Sequence, residues 1–304
     1  MGTIGCVIVT YNKLSLLKEC LEGVINQTRK VDEIFVIDNC SDDGTDEYID
    51  LLQKDVDNIN YIKLENNIGG AGGFSYGIKK AYEAGMEYIW IMDDDTIPQP
   101  LTLKNLIVTA NDKTLSWGFL SSNVRWIDNS ACVMNVPKVS KDWNEKSDRG
   151  IIKIESASFV SLLINRKVLD EVGYPIKEYF IWGDDVEFTR RISQSRSGYF
   201  VPNSIVLHKM KSNNGINIIS EDNNRLERYF YEYRNRIYTA REFGNKEFVS
   251  IIVRTIGKVF QILLKNNKYK IKKTKIVLKG FFAGLVFHPE IETTRNSIKT
   301  NKYS

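Results

Sequence analysis

Three consecutive carboxylates follow the most strand-like segment of the chain. Residues 88–92 are aromatic, β-branched or otherwise apolar, which is typical of a buried strand, and Asp93, Asp94 and Asp95 come directly after them. Because neighbouring carboxylates repel one another, a fold that keeps three of them at a strand end needs a cation nearby. Oxygen ligands favour Mg²⁺ or Mn²⁺, and these ions commonly hold the phosphates of a nucleotide. A solvated acidic turn is the alternative, and this segment alone does not decide between the two.

The first hundred residues alternate between strand and helix patterns. We predict strands over residues 4–10, 33–38, 61–64 and 88–93, with helices over 14–26 and about 42–52, and a glycine-rich turn followed by a helix that ends at residue 84. Strands separated by helices of this length indicate an α/β fold with a parallel sheet. Ligands of such sheets bind at the carboxyl ends of the strands. Thr10, Tyr11, Asn12, Asp38 and the three aspartates should therefore meet at one edge of the sheet.

The second half of the chain gives a weaker pattern. Residues 115–165 read as irregular and strand-like, with the clearest strand at 156–165, followed by a helix over 166–172. Short strands are predicted at 200–201 and 205–208, and a helical pattern begins at residue 225. The polar last ten residues are predicted to be frayed.

Composition limits the class of protein. The chain has 304 residues, of which 42% are hydrophobic, so a sizeable core is available. It shows no signal peptide and no apolar run long enough to span a bilayer, and its four cysteines lack any C-x-x-C pair. We therefore expect a cytoplasmic protein with reduced thiols.

Charge is distributed unevenly along the chain. Residues 225–304 carry 18 basic and 6 acidic side chains, a net charge of +12, whereas residues 1–224 carry a net charge of −8. We predict a catalytic domain over 1–224 and a basic, helical extension over 225–304 that faces something anionic. Lysines between Arg254 and Lys279 are interleaved with apolar residues, which fits an amphipathic element on an anionic membrane or a helical face packed on the domain.

Two further clusters are candidates for chemistry. Residues 66–74 contain four glycines in five positions, which lets backbone approach a ligand, although a tight loop without a ligand would read the same way. Asp184 and Asp185 follow the aromatic Trp182, so one carboxyl could have a raised pKa and act as a general base, or either could cap a helix over 186–193. His208 follows an apolar run and could complete a metal site with the three aspartates or be structural.

Six motifs in register resemble the inverting family 2 glycosyltransferases of the GT-A fold. They are V-I-V-T-Y-N at 7–12, I-D-N-C-S-D-D-G-T at 37–45, N-N-I-G-G-A-G-G-F at 66–74, D-D-D at 93–95, W-G-D-D-V-E-F at 182–188 and His208. The resemblance covers about residues 4–210. It implies an α/β, Rossmann-like nucleotide-diphospho-sugar transferase with a mostly parallel sheet and a C-terminal helical, basic extension.

The resemblance also implies a role for each matched residue. Asp185 would deprotonate the acceptor hydroxyl, while Asp184 and Trp182 would orient the acceptor. Asp93, Asp95 and His208 would hold Mn²⁺ or Mg²⁺. The donor nucleotide-sugar would contact the remaining matched residues and two of the aspartates: Thr10, Tyr11, Asn12, Asp38, Asn67, Gly69, Gly70, Gly72, Gly73, Asp93 and Asp94.

The subfamily is indicated by three elements. The glycine segment, the W-x-D-D element and Tyr231–Asn235 resemble bacterial galactofuranosyltransferases and rhamnosyltransferases that build cell-wall or surface polysaccharides. The Q-x-x-R-W motif of processive members is absent, which argues against processive synthesis. The expected partners are a UDP- or dTDP-linked donor, a saccharide or lipid-linked acceptor, an anionic membrane surface on the inner face of the cell membrane and a second copy of the chain, but no nucleic acid.

Two other classes fit part of the sequence. A sugar-phosphate nucleotidyltransferase should carry a basic glycine-rich loop after the first strand, where this chain has Thr10-Tyr11-Asn12-Lys13. A non-enzymatic protein that binds nucleic acid through the basic C-terminal part would leave both acidic clusters unexplained.

Overall fold

The structure is a computed structural model that describes residues 2–294, so the segment predicted to be frayed lies outside the described residues. Strands and helices alternate through the first hundred residues, as predicted, and three consecutive helices are the last helices of the described residues. The elements in order are β1 (Ile4–Thr10), α1 (Leu14–Ile25), β2 (Glu33–Asp38), α2 (Thr45–Leu52), β3 (Ile59–Lys63), α3 (Gly69–Glu83), β4 (Tyr88–Asp93), β5 (Thr96–Pro98), α4 (Thr102–Ala110), β6 (Trp117–Trp126), β7 (Lys138–Val139), β8 (Ile152–Ser156), β9 (Leu162–Asn165), α5 (Arg166–Val172), α6 (Asp184–Ser193), β10 (Ser197–His208), α7 (Arg228–Phe243), α8 (Asn245–Leu264) and α9 (Lys270–Val286).

All ten strands belong to one mixed sheet. The order is β3-β2-β1-β4-β9-β6-β10-β8-β7, and β5 pairs with β10. Neighbours among β3, β2, β1 and β4 run parallel, and β6 runs parallel to β10. The antiparallel β9 joins the two halves by pairing with β4 on one side and β6 on the other. The parallel first half brings the carboxyl ends of β1, β2 and β4 to one edge.

Both faces of the sheet are covered, which explains why β1 is buried at all seven positions. Leu17, Leu21 and Val24 of α1 pack on one face. Phe74 and Ile78 of α3 pack on the other face. The helical spacing of these apolar residues gives each helix one buried side.

The region of weak pattern contains a ten-residue buried strand, β6. Its centre is polar, but Ser121 and Ser122 are buried, and the Ser122 hydroxyl lies 2.7 Å from that of Ser161 and 2.8 Å from that of Ser204. The strand predicted over 156–165 is wrong as a single element, because a 3₁₀ turn at Phe159–Ser161 separates β8 from β9. That turn places Ser161 where it accepts a hydrogen bond from the indole of Trp90.

Helices α7, α8 and α9 pack around a small apolar cluster that includes Ile262, Ile276 and Val277, and Trp182 packs against the same cluster. They also contact the residues before α6: the ring of Tyr179 lies 6.0 Å from that of Tyr238 and 6.1 Å from that of Phe287. Within residues 2–294, no helix is long and apolar enough to cross a membrane.

Candidate active site

The three aspartates lie where β4 turns into β5, beside the loop after β1. The Asp94 carboxylate accepts hydrogen bonds from the Thr10 hydroxyl at 2.9 Å and from the Tyr11 amide at 3.3 Å. Lys13 bridges two carboxylates, with its Nζ 3.1 Å from Asp94 and 2.8 Å from Asp95. Burial would lower the pKa of Lys13, but these two carboxylates raise it above its usual range. Asp94 therefore joins the β1 loop to the acidic turn.

His208 reaches the same turn from the end of β10. Because β5 and β10 are antiparallel with Thr96 opposite His208, the imidazole Nε2 lies 3.0 Å from Asp95 Oδ1. Its Nδ1 lies 2.9 Å from Asn135 Oδ1 and 3.8 Å from Cys132 Sγ. Burial would lower the pKa of His208, but its bond to Asp95 raises that pKa to about 10. His208 and Asp95 thus form an ion pair.

Asp93, Asp95 and His208 form a group that fits a divalent metal. One ligand atom from each lies within 4.8 Å of the others. Two carboxylates and an imidazole are donors that suit Mn²⁺, and carboxylates suit Mg²⁺. Burial and the neighbouring Asp95 raise the pKa of Asp93 to about 7, so a positive ion here would relieve real repulsion. Binding would also require the imidazole to lose its proton.

The loops after β1 and β2 are tied together. Asp38 is fully buried, and it accepts bonds from the Ser41 amide at 2.9 Å and the Tyr61 hydroxyl at 2.6 Å. The Asn12 amide donates to the Ser41 hydroxyl at 2.9 Å. Tyr11 remains 46% exposed beside these residues. Thr10, Tyr11, Asn12 and Asp38 do come together, but Asp38 is held entirely inside the loop framework.

The glycine segment is mostly helix rather than loop, because α3 begins at Gly69. Asn67 accepts the Gly69 amide at 2.8 Å. A Cβ on Gly69 would lie 2.1 Å from the carbonyl oxygen of Phe180, and one on Gly73 would lie 2.6 Å from Val9. Gly72 is similarly close to Ile68. At Gly70, a Cβ would meet no atom of residues 2–294 within 4 Å, so this glycine faces open space.

The turn before α6 has an unusual backbone. Phe180 and Trp182 have positive φ angles of 62° and 65°, and Gly183 has a φ of 89°. Gly183 occupies the N-cap position, and α6 begins at Asp184 rather than at residue 186. Neither aspartate occupies the N-cap position, so the prediction that Asp184 or Asp185 is the N-cap residue is wrong. The Asp185 carboxylate instead accepts the amide of Val186 at 2.7 Å.

The two adjacent carboxyls differ in pKa. Burial, Asp185 and Asp93 raise the pKa of Asp184 well above its usual range. The pKa of Asp185 rises to about 6 through burial and the nearby Glu232, offset by the Val186 amide. Asp185 is therefore ionised at neutral pH. The charge of Asp93 is among the groups that raise the pKa of Asp184, so the Asp93 and Asp184 carboxyls lie near each other.

Several residues of the site escaped the sequence analysis as functional candidates. Lys13 follows T-Y-N directly, at the sheet edge where the three carboxylates were predicted to lie. A cation at that edge was a usable signal in the sequence. Asn135 and Cys132 gave no signal, because each reaches the site only through the tertiary fold. Glu232 and Asn235 were visible only within the Tyr231–Asn235 element.

The fold is shared with a solved transferase. The structure matches GalNAc-T7, solved with UDP, GalNAc and Mn²⁺, with a TM-score of 0.57 and 18% identity over 78% of this chain and 51% of that chain. The mixed sheet, with acidic residues at the ends of its parallel strands and helices at the C-terminus, is a GT-A glycosyltransferase fold. The predicted fold class is confirmed.

The family is indicated by sequence. The profile described as Glycosyl transferase family 2 matches residues 6–121. The galactofuranosyltransferase GlfT1 of Mycolicibacterium smegmatis is 28% identical over 204 residues, 63% of this chain and 66% of that relative. The galactofuranosyltransferase GlfT1 of Mycobacterium tuberculosis is 24% identical over 281 residues, 88% of this chain and 91% of that relative. The chain carries a glycosyl transferase family 2 domain, which confirms the predicted family and the enzyme class.

Proposed function

We propose that this chain is a metal-dependent, inverting glycosyltransferase that moves a sugar from a nucleotide diphosphate to an acceptor hydroxyl. The observation that carries the proposal is the position of the Asp184–Asp185 pair next to the Asp93, Asp95 and His208 group. One part of the site can hold a metal and its diphosphate, and the adjacent part offers an ionised carboxylate. Single displacement needs both functions on opposite sides of the sugar.

Each residue then has a defined task. Asp185 takes the proton from the acceptor hydroxyl, and the neutral Asp184 donates a hydrogen bond that orients that acceptor beside Trp182. Asp93, Asp95 and His208 hold Mn²⁺ or Mg²⁺, which when bound neutralises charge on the departing diphosphate. Tyr11 contacts the exposed side of the nucleotide. The N-terminus of α3 at Gly70 faces the nucleotide-sugar.

We favour galactofuranose as the sugar and rhamnose as the second candidate. Two relatives named galactofuranosyltransferases support the first, and the motifs shared with rhamnosyltransferases support the second. The acceptor is a saccharide or lipid-linked saccharide of a surface polysaccharide.

The test is nucleotide release from a donor panel with Mn²⁺ and lipid-linked acceptor mimics. The panel contains UDP-galactofuranose, dTDP-rhamnose, UDP-galactose and UDP-glucose. We expect turnover of UDP-galactofuranose that EDTA abolishes, and a β-to-α or α-to-β change at the anomeric carbon by NMR. Retention of anomeric configuration, or turnover unaffected by EDTA, would contradict the mechanism. If UDP and dTDP both fail to bind, the functional assignment is wrong.

We further propose that α8 and α9 bind the anionic lipids at the inner face of the cell membrane. Residues 248–289 contain nine basic and no acidic side chains, which complements an anionic leaflet. Ile262, Ile276 and Val277 pack inside the helical cluster, and Lys273 is also buried, where it donates to Ile219. The exposed face of α8 nevertheless carries a second apolar stripe at helical spacing: Val249, Val253, Ile256, Phe260, Leu263 and Leu264.

Vesicle co-sedimentation tests this membrane contact. We expect the chain to bind vesicles of about 30% anionic lipid, with binding weakened by salt, and we expect Phe260→Ser with Leu264→Ser to abolish it. Val108→Ser, at an exposed apolar position of α4, is the matched control and should bind as the original chain does. If the double variant binds vesicles normally but converts a dimer to a monomer by light scattering, a second copy covers the stripe instead.

A further inference from the structure

One side chain of α7 contacts three carbonyl groups of the turn that precedes the carboxyl pair. The Asn235 Nδ2 donates to the carbonyl oxygens of Tyr179 at 3.0 Å, Ile181 at 3.1 Å and Trp182 at 2.7 Å. Asn235 is fully buried. The turn it contacts connects Tyr179 to Asp184, the first residue of α6.

Arg234 reinforces the same arrangement. Its Nε donates to Asn235 Oδ1 at 3.0 Å, which fixes the amide so that Nδ2 points at the turn. Its Nη2 donates to the carbonyl oxygens of Glu178 at 2.5 Å and Tyr179 at 3.2 Å. One turn further along the helix, the hydroxyls of Thr239 and Tyr179 lie 2.7 Å apart. One side of α7 thus binds the backbone carbonyls of four residues and the hydroxyl of Tyr179.

The turn needs such support because its conformation is intrinsically unfavourable. Phe180 and Trp182 both adopt positive φ angles, which side chains other than glycine rarely tolerate unless surrounding structure fixes them. Its carbonyl groups point into protein, where each requires a donor. The two N–H donors of the Asn235 amide serve all three carbonyls, so one N–H is shared between two oxygens.

The turn also links the two substrate sides of the site. The Phe180 carbonyl accepts the amide of Ala71 at 3.2 Å, in the first turn of α3, where the nucleotide-sugar is proposed to bind. The other end of the turn leads into Asp184 and Asp185. A displacement of the turn would move the base relative to the donor.

We propose that Asn235 is a positioning residue that holds the Tyr179–Gly183 turn so that Asp185 faces the acceptor hydroxyl. This inference rests on the proposed role of Asp185 and extends it to a residue of the C-terminal helices. Asn235 does not contact substrate, so its loss should affect transfer and leave nucleotide binding intact.

Kinetics of Asn235→Asp test the proposal on the full chain. The isosteric carboxylate removes the donors and opposes the three carbonyls. We expect kcat to fall about 100-fold, as for an approximately 1 Å misplacement of a reacting group, with UDP affinity in Mn²⁺ changed by less than roughly twofold. Val277→Ala is the control, because Val277 is buried in the apolar cluster of the same helices and donates no hydrogen bond to the turn carbonyls. It should lower the melting temperature and leave kcat unchanged.

Two outcomes would overturn the proposal. One is an Asn235→Asp protein that keeps kcat within about threefold, and the other is a Val277→Ala protein that loses kcat to the same extent. If Asn235→Asp does not fold, Arg234→Lys replaces it, since lysine keeps the charge but lacks the Nε–H bond to Asn235. We expect about a tenfold lower kcat with unchanged UDP affinity, and full kcat in this variant would also overturn the proposal.

Hydrogen exchange separates this proposal from the proposed function. The Ile181 amide donates to Tyr179 O at 2.7 Å within the turn, so its exchange reports on the turn alone. We expect faster exchange of residues 179–185 in Asn235→Asp than in Val277→Ala, whatever the chemistry. If the original chain transfers no sugar from any donor, the proposed function fails. Unchanged exchange in Asn235→Asp shows instead that the positioning role fails.

Discussion

Asp184 and Asp185 are neighbours in sequence, yet the fold gives their carboxyl groups different pKa values. Burial, Asp185 and Asp93 raise the pKa of Asp184 well above its usual range, whereas the pKa of Asp185 rises to about 6. A pair of carboxyls whose pKa values are driven apart can divide the work between a hydrogen-bond donor and a base. The residue types alone left open whether the pair capped a helix. The structure has Gly183 at the N-cap position, so neither aspartate is the N-cap residue. The sequence alone could not show this.

Asp185→Asn should abolish transfer and leave nucleotide binding nearly intact. The amide keeps the shape and its bond to Val186 but cannot accept the acceptor proton, so we expect a loss of about 10²–10⁴ in kcat. Isothermal titration with UDP and Mn²⁺ checks that the donor side is undisturbed. Asp95→Ala is the comparison, and it should lose nucleotide affinity. An equal loss of affinity in Asp185→Asn would remove the assignment of Asp185 as the base.

Transfer should depend on pH through Asp185. The base acts only when ionised, and its pKa is raised to about 6, so the rate at saturating Mn²⁺ should rise with pH below about 6 and level off above it. Initial rates measured across this pH range give the midpoint of the rise in rate. Glu232→Gln should move this midpoint to lower pH, because the Glu232 charge raises the pKa of Asp185. An unchanged midpoint would show that another group controls the rate.

At the level of elements, the parallel half of the sheet was predictable and the mixed half was not. Apolar runs and helical stripes identified β1 to β4 with their helices, because both faces of that half are buried. β6 was not delimited, since its polar centre is satisfied inside the fold by Ser161 and Ser204 rather than by water. No local pattern encodes such a pairing across the sheet. The Asp95–His208 contact depends on the register of β5 with β10 in the same way.

The start of α3 offers a matched pair of glycine substitutions. Gly69→Ala should destabilise the protein by about 1–3 kcal/mol, because the methyl group would meet the Phe180 carbonyl at 2.1 Å and φ is +77°. Gly70→Ala should be neutral or stabilising by up to about 1 kcal/mol, since the position is open and helical. Urea unfolding measures both.

The same pair tests the donor contact. If the nucleotide-sugar lies against Gly70, then Gly70→Ala should fold normally and bind UDP-sugar more weakly. Normal affinity in this variant would mean that the glycines serve only the packing of α3 on Val9 and the Phe180 turn. The pattern of four glycines could not distinguish these roles, because close packing and ligand approach require the same small residue.

For the whole molecule, the division into residues 1–224 and 225–304 stays a prediction. The change in charge near residue 225 is real, and α7 to α9 pack around one apolar cluster. However, α7 contributes Asn235 and Glu232 to the site, and Tyr179 packs against Tyr238 and Phe287. Charge and composition describe surfaces, so they cannot reveal which face of a helix is buried against a neighbouring domain.

A chain shortened to residue 224 should therefore fail as an enzyme. It would expose Tyr179, which is fully buried in the complete chain, and would leave the turn before Asp184 without its donors. We expect no transfer and rapid proteolysis between residues 176 and 185. A chain ending at residue 294 serves as the control and should retain activity. Full activity of the shorter chain would establish 1–224 as an independent catalytic domain.

The bond between Asp95 and His208 joins residues 113 positions apart in sequence. Asp95 leaves the ribosome with the first half of the sheet, but His208 ends the strand that pairs with β5, β6 and β8. A chain growing from its N-terminus can assemble β1 to β4 early, as local βαβ units do. It cannot bring the third proposed ligand to Asp93 and Asp95 until β10 has been made and has docked. Metal affinity measured on nascent chains of increasing length would therefore show at which chain length β10 joins the sheet.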